Sequence, residues 1–310
     1  MTGVEDIRFA RVSLAVLFEP DSRPLHDLLA AHGVTATWQG LAYGSLPMPE
    51  LRPELAGLPT GRLWDLGARA LQEPGCGIRV VTPEDEDWPP ALPDLAAVAT
   101  PPGTDRPPVG ALCLWACGGR AVAGALARSV AVVGSRASTG YGGHVAAELG
   151  YGLAGQGWTV ASMGGFGIGA AAHRAAMSCG TTVAVLPYGL DRRYPAGNTA
   201  LLDRIADTGL LLSLWPPGTP PVKHRFTTNA APLAALTRGT VVVEAGRHSG
   251  ALTVLRAALE LGRPAMAVPG PVTSAQSAGL HAALREDSRI TLVTSAADVL
   301  ATLAAPTAPA

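Results

Sequence analysis

From Val130 onward, short and uniformly apolar runs alternate with glycine turns and alanine-rich amphipathic stretches. Val130–Val133, Thr159–Ser162, Thr182–Leu186, Leu210–Leu214, Thr240–Glu244, Ala265–Pro269 and Thr291–Val293 have the length of strands and almost no polar face. That is the pattern of strands buried on both sides. With helical periodicity between them, they predict an α/β fold: an extended Rossmann-like, doubly wound, mostly parallel sheet with helices on both faces. Such sheets bind ligands beyond the carboxyl ends of their strands, so the residues just after each run are the ones to weigh. Upstream, Gly77–Thr82 reads as one more strand, and Pro83–Pro90 as an acidic turn. Further back, helical runs at Val12–Phe18, Leu25–Ala31 and Gly61–Leu71 stop at Pro20, Gly33 and Pro74-Gly75. The expected organisation is a small N-terminal helical domain over 1–75, the extended Rossmann-like domain over 76–305, and a tail over 306–310. The proline-dense stretch 100–108 reads as a surface loop.

Composition narrows the classes of function. With 310 residues, 48% hydrophobic and 15% charged, the chain can bury a large core, which excludes a disordered or collagen-like protein. The 23 basic and 24 acidic residues leave a net charge of −1, so no overall positive field marks a duplex-coating protein. A nucleic-acid site would have to be local. Lys223 is the only lysine in the chain. The four cysteines, Cys76, Cys113, Cys117 and Cys179, lie in apolar or glycine-rich surroundings without metal-ligand spacing, and read as reduced core thiols. The apolar stretch Gly110–Gly134 is interrupted by Gly118-Gly119-Arg120 and Arg128, too often to span a bilayer. The first residues lack the basic region of a signal peptide, so a cytoplasmic protein with no membrane association is expected.

Candidate chemistry follows the strands. After the first comes Gly134-Ser135-Arg136 and then a helical stretch from Tyr141. Such a turn offers backbone N–H groups, a helix dipole and a guanidinium to a phosphate; the alternative is a packing turn with a surface arginine. After the second, Gly164 and Gly165 could let a phosphate approach the backbone, although neither a G-x-G-x-x-G register nor a P-loop is present. His173, a turn into the next helix, reads as a structural histidine or, alternatively, a general base. After the fourth, a proline-rich loop delivers Lys223-His224-Arg225-Phe226 and Asn229, the composition of a single-strand site; the other possibility is a solvated turn with Phe226 buried. Ser249 and Gly250 open a helix after the fifth and could hold an anion. Glu244 and His248 have no third partner for a triad, and no paired carboxylates stand at a useful spacing, so no enzyme is expected.

As an ordered set, several stretches carry a resemblance. They are Gly77–Pro89, Val130–Arg136, Gly167–Arg174, Leu186 through Tyr194-Pro195 with Asn198, Gly209–Ser213 with Pro216–Pro220, and Val242–Ala245 with Ser249–Thr253. Together they resemble the DNA-processing protein A (DprA/Smf) family from about residue 61 to 300. The resemblance implies a non-catalytic recombination mediator, a homodimer without cofactor, that binds single-stranded DNA and loads RecA on it during natural transformation or DNA uptake. It also implies that Gly134, Ser135, Arg136 and Lys223 hold phosphates, that Phe226 stacks on a base, and that the N-terminal helices form the family's small SAM or helix-hairpin-helix module. No winged-helix segment is expected after Ala297–Leu300. Two departures stand out. Met163–Gly169 replaces the family's Gly-Leu-Ala-Arg-Gly-Ile-Asp, and Asn229-Ala230-Ala231 replaces Arg-Asn-Arg. Fewer cations imply weaker binding with a shallower salt dependence, since each phosphate contact contributes about −0.7 to the slope. Two other readings remain open from the sequence: a small-nucleotide-binding or nucleotide-hydrolysing Rossmann protein related to the lysine-decarboxylase-like type, and a protein-interaction module that keeps only the family's fold.

Overall fold

Along each central strand, alternate residues face two different cores, and both are sealed. Ala131 and Val133, Val183 and Val185, and Leu210 and Leu212 enter one core; Val130 and Val132, Ala184 and Leu186, and Leu211 face the opposite side. A strand with no face left for water is apolar at every position, which is why these runs show no alternation in the sequence. The computed structural model describes residues 3–72, 75, 77–98 and 110–305. Cys76, the stretch 100–108 and the tail 306–310 fall outside the described residues.

The strands are β1 (Ile78–Val81), β2 (Leu114–Cys117), β3 (Ser129–Val133), β4 (Thr159–Ser162), β5 (Thr182–Leu186), β6 (Leu210–Ser213), β7 (Thr240–Val242), β8 (Ala265–Ala267) and β9 (Ile290–Leu292). They form one sheet in the order β1-β2-β6-β5-β4-β3-β7-β8-β9. From β6 to β9 the pairing is parallel, as the apolar runs predict. At the other end, β1 pairs β2 and β2 pairs β6 antiparallel. β2 is missing from the sequence reading, because its strand lies inside the apolar stretch weighed only as a membrane segment. Among the described residues no helix is long and apolar enough to cross a membrane.

The helices are α1 (Gly3–Leu17), α2 (Arg23–Ala42), α3 (Thr60–Gln72), α4 (Val122–Leu126), α5 (Gly140–Gly155), α6 (Ile168–Ala176), α7 (Thr199–Thr208), α8 (Lys223–Thr228), α9 (Ala230–Ala235), α10 (Ala251–Glu260), α11 (Ala278–Glu286) and α12 (Ala296–Ala304). α9 and α10 cover one face of the sheet through Leu233, Leu252 and Leu255. α5, α6 and α12 cover the other through Leu149, Leu153, Ile168 and Val299. Gly33 does not end its helix as expected; it sits at φ 74° as a kink inside α2. The cysteine expectation is corrected in part. Cys113 and Cys117 are buried and outside any disulfide, whereas Cys179 is exposed.

α1 is buried on two sides. Leu14, Leu17 and Phe18 pack with Leu25, Leu41 and Leu63 of the N-terminal helices, while Val12, Ala15 and Val16 join Ile78, Cys113 and Trp115 of the sheet. The acidic turn after β1 docks on the same helix: Asp85 pairs with Arg8, and Glu84 accepts from Arg11 at 2.8 Å. Glu84 and Asp85 are therefore committed to packing, whereas Glu86 stays exposed.

His173 is a structural residue of α6. It is fully buried, and its Nδ1 donates to Thr182 Oγ1 at 2.6 Å, whose own proton goes to the carbonyl of Val160 at 2.7 Å. Burial pulls the imidazole from 6.5 to about 4. Between these values the unfolded chain takes up a proton that the folded chain refuses, so this group costs stability as the pH falls through the window, by about 1.4 kcal/mol per unit. Urea unfolding from pH 7 to 4.5 should show that loss in the wild type and a flatter profile in His173→Gln. Parallel profiles would mean that the ring is accessible to protons.

Candidate functional site

The strand order reverses between β3 and β7, which places the crevice of a Rossmann-type sheet at the ends of these two strands. Here that crevice is filled from within. Glu244, the second residue beyond β7, is buried, and its carboxylate accepts from the Thr139 backbone N–H at 2.9 Å and from Thr139 Oγ1 at 2.5 Å. Thr139 is the N-cap of α5 and itself accepts from the N–H of Gly142 at 3.1 Å. Gly142 has no Cβ because one would lie on the Glu244 carboxylate. The anion at the start of α5 is thus this chain's own. The expectation that the dipole of this helix faces a ligand phosphate is corrected accordingly. A buried glutamate at the end of an otherwise apolar run was the signal for it.

The turn after β3 is likewise occupied along its backbone. Ser135 N–H donates to Glu244 O at 2.7 Å, Ser135 Oγ to Ala137 O at 3.2 Å, and Ser135 O accepts from Ile168 N–H at 3.1 Å. Gly134 serves packing: a Cβ there would meet Ile168 Cγ1 at 2.6 Å and Glu244 O at 2.9 Å. Only Arg136 of this turn faces outward. It is exposed, and among the described residues no carboxylate pairs with it.

The proline-rich loop after β6 leads into a helix that starts at Lys223. α8 separates its side chains into two sets. Lys223 is exposed and, among the described residues, unpaired, while Phe226, one turn on, is half-buried. Arg225 points inward and is 1% exposed. Its Nε donates to Glu19 at 3.0 Å, Nη2 to Glu54 at 2.9 Å, and Nη1 to Pro220 O at 2.8 Å. Glu19 also accepts from the indole of buried Trp215 at 2.7 Å. Burial raises the Glu19 carboxyl, but Arg52 and the donors Arg225 and Trp215 outweigh it and hold the group below the usual carboxylate range. Asn229 is fully buried and donates to Val185 O at 2.9 Å, tying α8 and α9 to β5. Arg225 and Asn229 therefore leave the candidate contact set: they position α8, and no ligand reaches them. Sequence reasoning missed Glu19 and Glu54, which lie 206 and 171 residues from Arg225.

What the structure does bring together is a row of rings and cations across the ends of β3 to β6. Gly165 lies under Arg136, since a Cβ there would sit 3.8 Å from its Cγ and Cδ. Phe166 follows, 48% exposed, and its Cζ would be 3.0 Å from a Cβ on Gly197. Gly197 belongs to the short helical turn Ala196–Asn198, just past Tyr194, which is 43% exposed. The Tyr194 ring lies 6.0 Å from that of Phe226, and both rest against Tyr188 at 6.1 and 6.4 Å. Gly164 is buried beneath, where a Cβ would meet Leu186 and Leu202, and its carbonyl accepts from Asn198 at 3.0 Å. Ser249 and Gly250 are not part of this row. They stand at the start of α10 beyond β7, the neighbour of β3, and bring neither a ring nor a cation to the row. Ser249 Oγ accepts from Ala251 N–H at 3.3 Å.

Fold and site together define an extended Rossmann-type protein whose crevice is closed and whose open surface is a line of aromatic rings between two unpaired cations. The chain belongs to the family described as DNA recombination-mediator protein A, whose sequence model matches residues 79–304. It is 48% identical over 229 residues to a DNA processing protein DprA of Mycobacterium tuberculosis, covering 72% of this chain and 57% of that one. With DprA of Streptococcus pneumoniae it shares 40% identity over 56% of this chain and 60% of that one. The chain thus spans less than two thirds of the length of these relatives. Among solved structures, S. pneumoniae DprA superposes with a TM-score of 0.66 at 30% identity, covering 84% of this chain and 90% of that chain. DprA of Helicobacter pylori, described for its single-stranded DNA binding mode, has a TM-score of 0.59 at 24% identity over 72% and 95% of the two chains.

Proposed function

We propose that this chain is a cytoplasmic, non-catalytic recombination mediator that binds single-stranded DNA as a homodimer and delivers it to RecA during DNA uptake. The observation that carries the reading is that Arg136 and Lys223, both exposed, stand at the same strand ends as the Phe226 ring: cations for phosphates, a ring face for a base. Family membership and the solved single-strand-binding relative support the same assignment. The Glu244 carboxylate argues against a nucleotide in the crevice, because a pyrophosphate at the start of α5 would meet a buried negative charge.

Anisotropy titration of labelled oligo-dT at several salt concentrations tests the reading. Arg136→Ala and Lys223→Ala should each weaken binding and lower the salt slope by about 0.7, whereas Phe226→Ala should weaken it with little change in slope. Ser249→Ala should leave affinity unchanged. Absence of binding by the wild type at low salt would sink the assignment.

A further inference from the structure

We infer that Phe166 is a base-stacking platform for single-stranded nucleic acid, placed between Arg136 and Tyr194 so that the strand crosses three aromatic rings instead of one. The inference rests on the single-strand reading above and goes beyond it in assigning a ring. Phe166 is a large apolar side chain with glycine on both sides, at the one place where α6 begins. About half of its surface meets water, so it forgoes part of the roughly 1.5–3 kcal/mol that full burial of such a side chain contributes.

Its backbone is pinned from three sides, which distinguishes it from a ring on a loose loop. Gly167 stands at φ 75°, packed onto the carbonyls of Ser135 and Arg136. Ile168 N–H donates to Ser135 O at 3.1 Å, and Asn198 holds Gly164 O at 3.0 Å. The ring edge touches the turn at Gly197. A ring already fixed in place loses little freedom when a flat partner settles on it. The occupant is specified by what flanks it: the Arg136 methylenes lie against neighbouring Gly165, and Tyr194 and Phe226 continue the row toward Lys223. Alternating ring faces with cations at both ends suit unpaired bases on a phosphate backbone, and suit an apolar peptide poorly, which would leave the cations unanswered.

The test uses the full chain, oligo-dT, and an oligomer of the same length with abasic sites through its middle. Phe166→Ala should bind oligo-dT roughly tenfold more weakly with an unchanged salt slope, and Phe166→Leu, which keeps apolar bulk without a π face, should lose nearly as much. On the abasic strand, wild type and both variants should bind alike. Phe166→Arg should recover affinity at low salt only, with a slope steeper by about 0.7. Wild-type affinity for oligo-dT in Phe166→Ala would overturn the inference while leaving the single-strand reading intact, as would an equal loss on the abasic strand. So would a changed sedimentation coefficient without loss of affinity, which would assign the ring to a contact between copies. Failure of the wild type itself to bind oligo-dT would remove both.

Discussion

Arg225→Ala unfolds at markedly lower urea concentration than the wild type, with a loss of about 3 kcal/mol. The guanidinium is 1% exposed and supplies hydrogen bonds to Glu19, Glu54 and the carbonyl of Pro220. Removing one side of a buried ion pair leaves the other charge uncompensated, which costs about 3–5 kcal/mol. The value falls at the lower end because Arg52 remains beside Glu19 and Glu54 is partly solvated. Arg225→Lys should recover little, since one ammonium cannot reproduce a planar fork that reaches two carboxylates and a carbonyl. Tryptophan fluorescence is the natural readout, because Trp215 donates to the same Glu19. Strand affinity should fall with stability, because α8 carries Lys223 and Phe226 on its outer side. A loss below about 1 kcal/mol would show that water enters the cluster and that α8 is held by its apolar contacts alone.

Gly167→Ala is the second large effect, and it strikes the other end of the row. A residue with a Cβ at φ 75° and ψ −131° lies outside the conformations open to it, at about 1–3 kcal/mol. The new methyl would also sit on the backbone of Ser135 and Arg136, with 2.5 Å to Arg136 O. Backbone at the end of a central strand cannot move aside without disturbing Ser135 N–H, which donates to Glu244 O. A destabilisation of roughly 3 kcal/mol or more is expected from strain and overpacking together. Strand affinity should drop beyond what the unfolded fraction explains, since Arg136 and Phe166 flank the distorted backbone. Gly157→Ala also acts at φ 75°, in a left-handed cap at the end of α5 with nothing within 4 Å of the added Cβ, and should lose less, about 1 kcal/mol. Equal losses in the two variants would show that the contact with the β3 turn contributes nothing.

The parallel sheet was legible because burial on both faces writes itself as unbroken apolar runs, and β4 and β5 fall where the runs do. β2 was not, because its four buried residues sit in a longer apolar stretch weighed only as a membrane segment, although Gly118-Gly119 closes it. Of the candidate site, Lys223 and Arg136 are exposed, each standing in a short segment with few apolar neighbours. Arg225 misled for the opposite reason: two residues after an exposed lysine, it is turned by two helical steps, about 200°, toward carboxylates that no local pattern announces. The crevice misled as well. Glycine turn plus helix start is the same local sequence whether the anion there is a ligand's phosphate or a glutamate from β7, more than 100 residues on. Phe166 carried a usable signal that went unread as such, because a bulky ring with glycine on either side has few neighbours to bury it.

The Glu19 cluster also sets a timetable for synthesis. Glu19 leaves the ribosome 196 residues before Trp215 and 206 before Arg225. At elongation rates of about 5–20 residues per second, its carboxylate, with Arg52 beside it early, waits roughly 10–40 s for the donors Trp215 and Arg225. During that time α1 has its helical neighbours Leu25, Leu41 and Leu63, but neither Trp115 of the sheet nor the guanidinium that closes the cluster. The first part of the chain to be made is therefore among the last to be locked, and the helix that carries Lys223 and Phe226 is seated by the same event. Nascent chains that have not yet reached β6 and α8 expose the apolar side of α1, which makes them the species most dependent on chaperones.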